Sequence, residues 1–207
     1  KMNGSLSGLI SIGSGLLAMS SKVAGSIFTS ICLEMPLGVT VPARMCAATS
    51  EMEDRIMKPK SKFYIAYGSN LNLEQMAHRC PTAEVVGAAT LRGWRLWFRG
   101  GNGGAVATVE RERGCEVPVL VWRIQPQDER ALDRYEGWPH LYRKETLRIT
   151  VNGRRVYAMI YIMNEKGHPY GAPSLGYLNT IREGYEGAGF DSSILAKAVR
   201  GSKEAAE

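Results

Sequence analysis

The sequence predicts an α+β fold in which a mostly antiparallel sheet curls into a small β-barrel with flanking helices. Short runs of aromatic and β-branched residues recur from Lys62 onward and are joined mostly by short loops. Helical signals are fewer and lie between or after these runs. Strands that pair through short loops, with a few helices outside them, favour an antiparallel sheet closed on itself.

Six runs are predicted as strands because they combine aromatic or β-branched residues with turn-forming boundaries. The last two flank Asn152-Gly153, a dipeptide typical of the two-residue turn of a β-hairpin. Tyr161 lies on the same face of its strand as Met159 and Met163, because side chains alternate with a period of two. The predicted strands are Phe63–Tyr67, Trp94–Phe98, Val106–Val109, Pro118–Arg123, Tyr142–Val151 and Val156–Met163.

Four segments are predicted as helices from the signals at their ends. In the first, Asn72 is placed to cap the helix and Gln75, three residues later, to reach back to the cap. The second runs from Pro126 to Tyr135, with proline in its first turn, acids early and Gly137 just beyond its end. The third and fourth are Ser174 to Gly187 and Asp191 to Val199.

Length and composition are those of a globular protein with a domain-sized core: 207 residues, 44% hydrophobic and 22% charged. The formal charge of +6 comes from residues 57–207, because residues 1–56 hold four basic and four acidic residues. The basic residues are scattered, with no cluster beyond Arg154-Arg155. The charge therefore suits a small acidic substrate and argues against a nucleic acid partner.

The four cysteines and three histidines show no CxxC motif and no spacing typical of a metal site. We therefore expect no metal and a reduced, cytoplasmic protein. The sequence does not indicate an oligomeric state.

Residues 1–56 differ in texture from the rest, because Leu6 to Leu33 holds a single charge, Lys22, among glycine, serine and small apolar residues. The serines and glycines interrupt the run too often for a secretory signal or a transmembrane helix. We interpret residues 1–56 as a leader of uncertain order that need not be native to the domain, and predict one domain over residues 57–207. An interfacial membrane anchor is the alternative, and a membrane partner is not favoured.

The run Tyr67-Gly68-Ser69-Asn70 joins the first predicted strand to the first predicted helix. Its small residues let backbone N–H groups at the helix entrance face a ligand, and such an entrance favours an anion such as a carboxylate or phosphate. Ser69 and Asn70 add side-chain donors, and Gly68 has no Cβ to obstruct a substrate. The alternative is a strand-to-helix turn without a ligand.

Further landmarks follow this turn in a fixed order. They are Tyr67-Gly68-Ser69-Asn70-Leu71; the run Ala105–Val109; Leu132-Asp133-Arg134-Tyr135-Glu136-Gly137; and Pro173-Ser174 followed by Tyr177, Ile181 and Gly184. On these landmarks the sequence resembles the γ-glutamylcyclotransferase family, within the AIG2-like superfamily, from Phe63 to about Phe190. The order of YGSN, LDxxEG, Tyr142 and PSxxYxxxI makes the resemblance specific, and residues 1–56 have no counterpart in it.

The resemblance implies a compact, mostly antiparallel β-barrel with a cavity at one end. It implies release of 5-oxoproline from small γ-glutamyl compounds without a cofactor, with the YGSN turn as cradle and one glutamate as acid/base. In that reaction the substrate's α-amine attacks its own γ-carbonyl, so no protein nucleophile is required. The enzyme must fold the glutamyl chain, move two protons and stabilise an oxyanion.

Glu136 is the predicted catalytic residue. It follows the predicted helix and precedes Gly137 and Trp138. Both the negative end of the helix and apolar shielding by a neighbour such as Trp138 would raise the pKa of its carboxyl group. A raised pKa suits a base that later acts as an acid. The alternative is a solvated glutamate near a helix end.

The predicted substrate-binding residues are the turn and three tyrosines that match positions the family places near its cavity. Inward phenols would bond the substrate and exclude water, although core packing is the alternative for each tyrosine. These residues are Tyr67, Gly68, Ser69, Asn70, Leu71, Tyr142, Tyr161 and Tyr177.

Two other functions remain open on the sequence. A cyclotransferase for γ-glutamylamines resembles this family, but that branch usually has Gly-Thr after the tyrosine where this chain has Gly68-Ser69. A non-catalytic small-ligand binding protein would use the same cavity, yet it has no need of Glu136. The leaving group, whether an amino acid, cysteinylglycine or an amine, is not specified.

Overall fold

The computed structural model describes residues 60–101 and 103–207, and in them the chain forms one sheet and four helices. The strands are β1 (Lys62–Ala66), β2 (Glu84–Arg99), β3 (Val106–Ile124), β4 (Tyr142–Val151) and β5 (Arg154–Met163). The helices are α1 (Leu73–Arg79), α2 (Pro126–Tyr135), α3 (Leu175–Gly187) and α4 (Ser192–Glu204), and a short 3-10 turn covers Ser69–Leu71. The predicted leader and the boundary at residues 56 and 57 lie outside the described residues.

The five strands form one mixed sheet in the order β2-β3-β1-β5-β4. β1 runs parallel to β5, while the other three neighbouring pairs are antiparallel. The predicted α+β class and the mostly antiparallel pairing are therefore confirmed. β1 lies in the middle of the sheet, so the turn that follows it emerges near the centre of the domain.

The predicted closure into a barrel is wrong. A barrel needs a continuous hydrogen-bonded ladder between its first and last strands, but in the described residues β2 and β4 are edge strands. Bulges at Val85/Gly87 and Arg92/Trp94 bend β2, and its Val86 carbonyl accepts a hydrogen bond from Asn152 Nδ2 at the β4–β5 turn. A cleft of about 770 Å³, lined by residues of both edge strands, separates them elsewhere.

The β2–β3 hairpin is much longer than the sequence predicts. Three short strands were predicted within residues 84–124, whereas the structure continues β2 back to Glu84 and joins the two parts of β3. The added parts contain glycine, alanine and alternating charges, which carry little strand signal. Hydrogen bonding between β2 and β3 therefore stabilises strand structure in segments whose local sequence does not predict it.

Helix α1 begins where the capping pattern places it. The Asn72 side chain accepts a hydrogen bond from the Gln75 N–H at 3.1 Å. The Gln75 side chain does not reach back to the cap, because its Oε1 accepts instead from Arg79 at 2.6 Å. The end of α1 is therefore tied to its own first turn.

Helix α2 has the predicted bounds, Pro126–Tyr135. Asp128 accepts from the Gln125 N–H at 2.8 Å and closes a capping box. Glu136 is the C-cap residue, and Gly137 follows with φ of 63°. This left-handed conformation suits glycine and turns the chain away from the helix just after the carboxylate.

Helix α4 runs past its predicted end at Val199 as far as Glu204. The Gly201-Ser202 pair would be expected to end a helix, but both residues are buried against the sheet. Ser202 Oγ accepts a hydrogen bond from the Phe98 N–H at 2.9 Å, which stabilises this extra turn. None of the described helices combines the length and apolar character needed to cross a membrane.

Candidate active site

A cavity of about 100 Å³ lies at the exit of β1, where the ends of several elements meet. Nearly all of the residues predicted from the sequence line it, namely Tyr67, Gly68, Ser69, Asn70, Glu136, Tyr142, Tyr161 and Tyr177. Leu71 is the exception: it is 1% exposed and belongs to the core behind the turn. The turn after β1 and the carboxylate after α2 therefore share one hollow.

Glu136 occupies an environment that disfavours its charge. Burial raises the pKa of its carboxyl group to about 7, although the hydrogen bond from Asn70 and the charge of Arg79 act in the opposite direction. Trp138, suggested by the sequence as the shield, is 45% exposed and does not line the cavity. Aromatic side chains of the cavity wall provide the apolar surroundings instead.

Asn70 connects the turn to the carboxylate. Its Nδ2 donates to Glu136 Oε1 at 2.9 Å and to the Tyr64 hydroxyl at 2.8 Å. Its Oδ1 accepts from Arg79 at 2.6 Å. Since arginine only donates and a carboxylate only accepts, these partners allow one orientation of the amide.

The turn itself leaves backbone donors available. The N–H groups of Leu71 and Asn72 bond to the Gly68 and Ser69 carbonyls at 3.0 and 3.1 Å. The N–H groups of Ser69 and Asn70 find no backbone acceptor in the part of the chain that the structure describes. Two adjacent N–H groups at a helical entrance form a local positive site suited to an oxyanion or carboxylate.

Gly68 is needed for the packing of the turn. A Cβ at this position would lie 3.2 Å from Ala107 Cβ and 3.5 Å from the Tyr177 hydroxyl. In the structure β3 and α3 approach Gly68 closely, and the close approach of a substrate expected from the sequence stays a prediction. Substitution of Gly68 would therefore disturb the cavity wall.

Two of the predicted tyrosines hold the backbone of neighbouring strands. The Tyr67 hydroxyl donates to the Tyr161 carbonyl at 2.7 Å, and the Tyr142 hydroxyl donates to the Ala107 carbonyl at 2.7 Å. Burial raises the pKa of both phenols well above the ordinary value. Both side chains are therefore neutral parts of the cavity wall, and each hydroxyl hydrogen is already used in a hydrogen bond to the backbone.

The other two tyrosines differ from each other in what they offer a ligand. The Tyr161 hydroxyl donates to Asp133 at 2.6 Å, so its ring faces the cavity while its hydroxyl is engaged. The Tyr177 hydroxyl accepts from the Ala107 N–H at 3.2 Å and also bonds to the Ser69 side chain. Tyr177 therefore has only neutral partners, whereas Tyr161 is bound to a carboxylate.

The sequence reasoning missed Tyr64, Arg79 and Tyr135. Tyr64 has the signature of a core strand residue, and nothing local marks its bond to Asn70. Arg79 is four residues after Gln75, so one turn of α1 brings both toward the YGSN turn. Tyr135 directly precedes Glu136 in the LDxxEG landmark, and this adjacency was the available signal.

Arg79 and Tyr135 contact each other at the rim of the cavity. The Arg79 guanidinium carbon lies 3.7 Å from the centre of the Tyr135 ring, and Tyr135 is 47% exposed. The Tyr135 hydroxyl lies 3.2 Å from Ser69 Oγ. Among the described residues, no group of three His, Cys, Asp or Glu side chains is arranged to hold a metal ion.

Comparison with known families adds an independent observation. Residues 64–179 match the family described as gamma-glutamyl cyclotransferase, AIG2-like. This stretch is more than half of the chain and includes every residue that lines the cavity. The chain belongs to this family.

Two named relatives match over shorter stretches. The gamma-glutamylcyclotransferase of Homo sapiens is 34% identical over 85 residues, 38% of this chain and 45% of that protein. The Mus musculus protein of the same name is 34% identical over 98 residues, 44% of this chain and 52% of that protein. The chain thus spans about half the length of the curated relatives it matches.

Solved structures share the fold. One named gamma-glutamyl cyclotransferase superposes with a TM-score of 0.58 and 27% identity, over 67% of this chain and 86% of that chain. YkqA from Bacillus subtilis has a TM-score of 0.58 at 21% identity, over 74% of this chain and 58% of that chain. The second likeness is one of fold alone.

Proposed function

We propose that this domain is a γ-glutamyl cyclotransferase that converts a γ-glutamyl compound into 5-oxoproline and an amino acid or amine. The observation that carries the proposal is the bond of 2.9 Å between Asn70 Nδ2 and Glu136 Oε1 in a shared cavity. It joins a group of donors suited to an anion to a carboxyl group with a pKa of about 7.

Glu136 is the proposed acid/base. Its carboxylate takes a proton from the substrate's α-ammonium, and the resulting amine attacks the γ-carbonyl to close the five-membered lactam. The C–N bond to the leaving group then breaks as Glu136 returns the proton to the departing nitrogen. The second proton on the attacking nitrogen passes through Glu136 to the released amine, which leaves the neutral lactam and an ammonium group. A pKa of about 7 serves both transfers, since neither protonation state is strongly favoured near neutral pH.

The turn is the proposed anion cradle. The N–H groups of Ser69 and Asn70 would hold the α-carboxylate or the oxyanion that develops on the γ-carbonyl oxygen. Fixed donors in a hollow shielded from water stabilise such a charge without having to reorganise. The Tyr177 hydroxyl, which lines the cavity beside Ser69, would be a further donor to the same guest.

The volume of the cavity supports a placement in which only part of the substrate lies inside it. A space of roughly 10–15 Å³ holds one water molecule, so about 100 Å³ takes a compact group of several heavy atoms. That matches the folded glutamyl moiety, while the leaving group would lie at the rim beside the exposed Tyr135. The free thiols of Cys80 and Cys115 support a reducing compartment, and we place the proposed activity in the cytoplasm.

The decisive experiment incubates the protein with γ-glutamyl amino acids and γ-glutamylamines and measures 5-oxoproline. We expect turnover by the wild type and none above background for Glu136→Gln, because the amide cannot accept the proton. Ser69→Ala and Asn70→Ala should retain measurable turnover, since backbone donors remain. A preference for the amines would favour the γ-glutamylamine branch.

Two results would contradict the proposal. Full turnover by Glu136→Gln would remove the proposed base. Binding of the substrates without any release of 5-oxoproline by the wild type would indicate a small-ligand binding protein instead.

A further inference from the structure

Arg79 is a half-buried cation with neutral partners. Its guanidinium donates to Asn70 Oδ1 and Gln75 Oε1 at 2.6 Å each, to the Tyr135 hydroxyl at 2.8 Å and, more weakly, to Ser69 Oγ at 3.4 Å. None of the ion pairs within the described residues includes Arg79. A positive charge is thus held beside the cavity without a carboxylate partner from those residues.

The Asn70 amide has only one orientation compatible with this cation. If it flipped, its NH2 group would face the Arg79 donors and its oxygen would face the Glu136 carboxylate, and both contacts would be repulsive. Arg79 therefore aims the Asn70 NH2 group at Glu136 Oε1. The other carboxylate oxygen, Oε2, has no hydrogen bond to the described residues.

We infer that Arg79 is a positioning residue of the proposed cyclotransferase: through Asn70 it fixes Glu136 Oε1 and leaves Oε2 to exchange the proton with the substrate. This inference rests on the proposed function and adds a residue that does not touch the reacting atoms. Its charge has a second effect, because it favours the ionised carboxylate and so opposes the effect of burial on the pKa of Glu136.

The surroundings of Glu136 make Arg79 the dominant charge acting on it. The ionisable groups around it are Tyr64 and Tyr67 from β1 and its exit, Cys80 behind Tyr64, Tyr135 from α2, Tyr142 from β4, Tyr161 from β5 and Tyr177 from α3. Burial raises the pKa of the Tyr64, Tyr67, Tyr142, Tyr161 and Tyr177 phenols, so they stay neutral near pH 7.

Behind the Tyr161 ring, Asp133 is paired with Lys144 at 2.6 Å, so these two charges largely offset each other. Removal of the Arg79 charge should therefore raise the pKa of Glu136 directly.

The experiment compares Arg79→Gln with Arg79→Lys in the full chain, by the pH dependence of kcat/KM for 5-oxoproline release. In the wild type the acidic limb should lie near pH 7, the pKa of Glu136. We expect Arg79→Gln to move this limb to higher pH and to lower kcat by roughly tenfold or more, with KM changed less. Arg79→Lys keeps the charge, so its limb should stay in place while kcat falls.

A double-mutant cycle tests the route through Asn70. In an Asn70→Ala background, Arg79→Lys should cost much less in kcat than in the wild type, because the amide that it positions is already gone. Arg182→Gln, an exposed arginine on α3 that bonds Asn179, is the matched control and should leave the profile unchanged.

Several outcomes would overturn the inference while leaving the proposed function intact. They are an unmoved limb in Arg79→Gln, a wild-type kcat in Arg79→Lys, additive losses in the cycle, or a loss confined to KM, which would indicate direct substrate binding. If Arg79→Gln fails to fold, the kcat of Arg79→Lys and the cycle decide. Absence of 5-oxoproline release by the wild type would instead overturn the proposed function.

Discussion

The carboxyl group of Glu136 is buried, and burial opposes its ionisation more strongly than Asn70 and Arg79 favour it. The chain ends a helix at this residue and surrounds it with phenols, and one amide of Asn70 is the neutral donor that contacts it. Such an arrangement costs stability when the group is charged, since burial disfavours the charged form. The same burial that lowers stability also raises the pKa, so that the carboxyl group can change protonation near neutral pH.

This cost should be measurable as a pH-dependent difference between the wild type and Glu136→Gln. The folded pKa of about 7 lies above the ordinary 4.5, so the folded state holds the proton more tightly. Wild-type stability is therefore unaffected below pH 4.5, falls as pH rises to about 7 and is constant above it. The free energy of unfolding falls by at most about 3 kcal/mol, because a pKa difference of one corresponds to about 1.36 kcal/mol.

Chemical denaturation at several pH values between 4 and 8 gives the free energy of unfolding of both proteins. As the pH rises across this range, we expect the free energy of unfolding of Glu136→Gln to increase relative to that of the wild type, because the amide does not ionise. A difference between the two proteins that is the same at pH 4 and pH 8 would show that Glu136 is solvated.

Among the site residues, those that lie in a motif could be predicted from the sequence. Those whose proposed action depends on a contact with another residue could not. Glu136 and Asn70 could be named because each lies in a landmark of fixed spacing. Arg79 could not, because the contacts on which its proposed role rests depend on how α1 is oriented relative to α2. Trp138 was chosen for its adjacency in sequence, yet cavity walls are made of residues adjacent in space.

Helix α3 packs closely against the YGSN turn. It approaches the turn so closely at Gly184 that a Cβ there would be 2.7 Å from Leu71 Cβ and 2.8 Å from the Asn72 nitrogen. Leu71 lies in the core and packs against α3. We expect this packing to help position the N–H groups of Ser69 and Asn70, which precede it in the turn. This contact lies between two elements and leaves no trace in either segment alone.

Gly184→Ala should therefore damage activity from outside the cavity. The added methyl must push α3 away from the turn, at a cost of about 1–3 kcal/mol in stability. A shift of the donors by a fraction of an ångström should lower kcat/KM by roughly tenfold or more. Thermal unfolding and 5-oxoproline release measure the two effects.

Gly176→Ala is the matched control on the same helix, since a Cβ there meets nothing within 4 Å. It should keep wild-type activity. Wild-type kcat/KM in Gly184→Ala would mean that the turn is positioned by contacts other than those with α3.

Elements were predictable where their ends carry chemistry. Helix α2 was predicted with its observed bounds because proline, early acids and a final glycine are local signals. The first half of β2 was missed because Gly87 and Gly93 weaken its pattern. The last turn of α4 was missed because its glycine and serine are stabilised by contacts with β2.

For the whole molecule, local patterns predicted the class of the sheet and not its closure. Hairpin signals establish which strands are neighbours, and from them the antiparallel pairing followed. Whether the first and last strands meet depends on the summed bend and twist of the sheet. No single run of residues contains that information.

The predicted boundary at Met57 is a property of the whole chain and can be tested on it. Limited proteolysis with mass mapping should yield a stable fragment that begins near residue 57 and retains Lys62, whose side chain pairs with Glu129 at 2.7 Å. A stable fragment that starts well before residue 57, or cleavage within β1, would contradict the prediction.

The open sheet also bears on self-association. Unpaired strand edges are templates on which another chain can add a strand and begin to aggregate. Here the two edges face a common cleft whose walls include Arg92, Arg111 and Arg148. A second copy, itself carrying a net charge of +6, would have to enter against this like charge. Arg92 is paired with Glu116 at 3.2 Å, so we expect Arg111 and Arg148 to contribute most of the repulsion that disfavours edge-to-edge stacking of this open sheet.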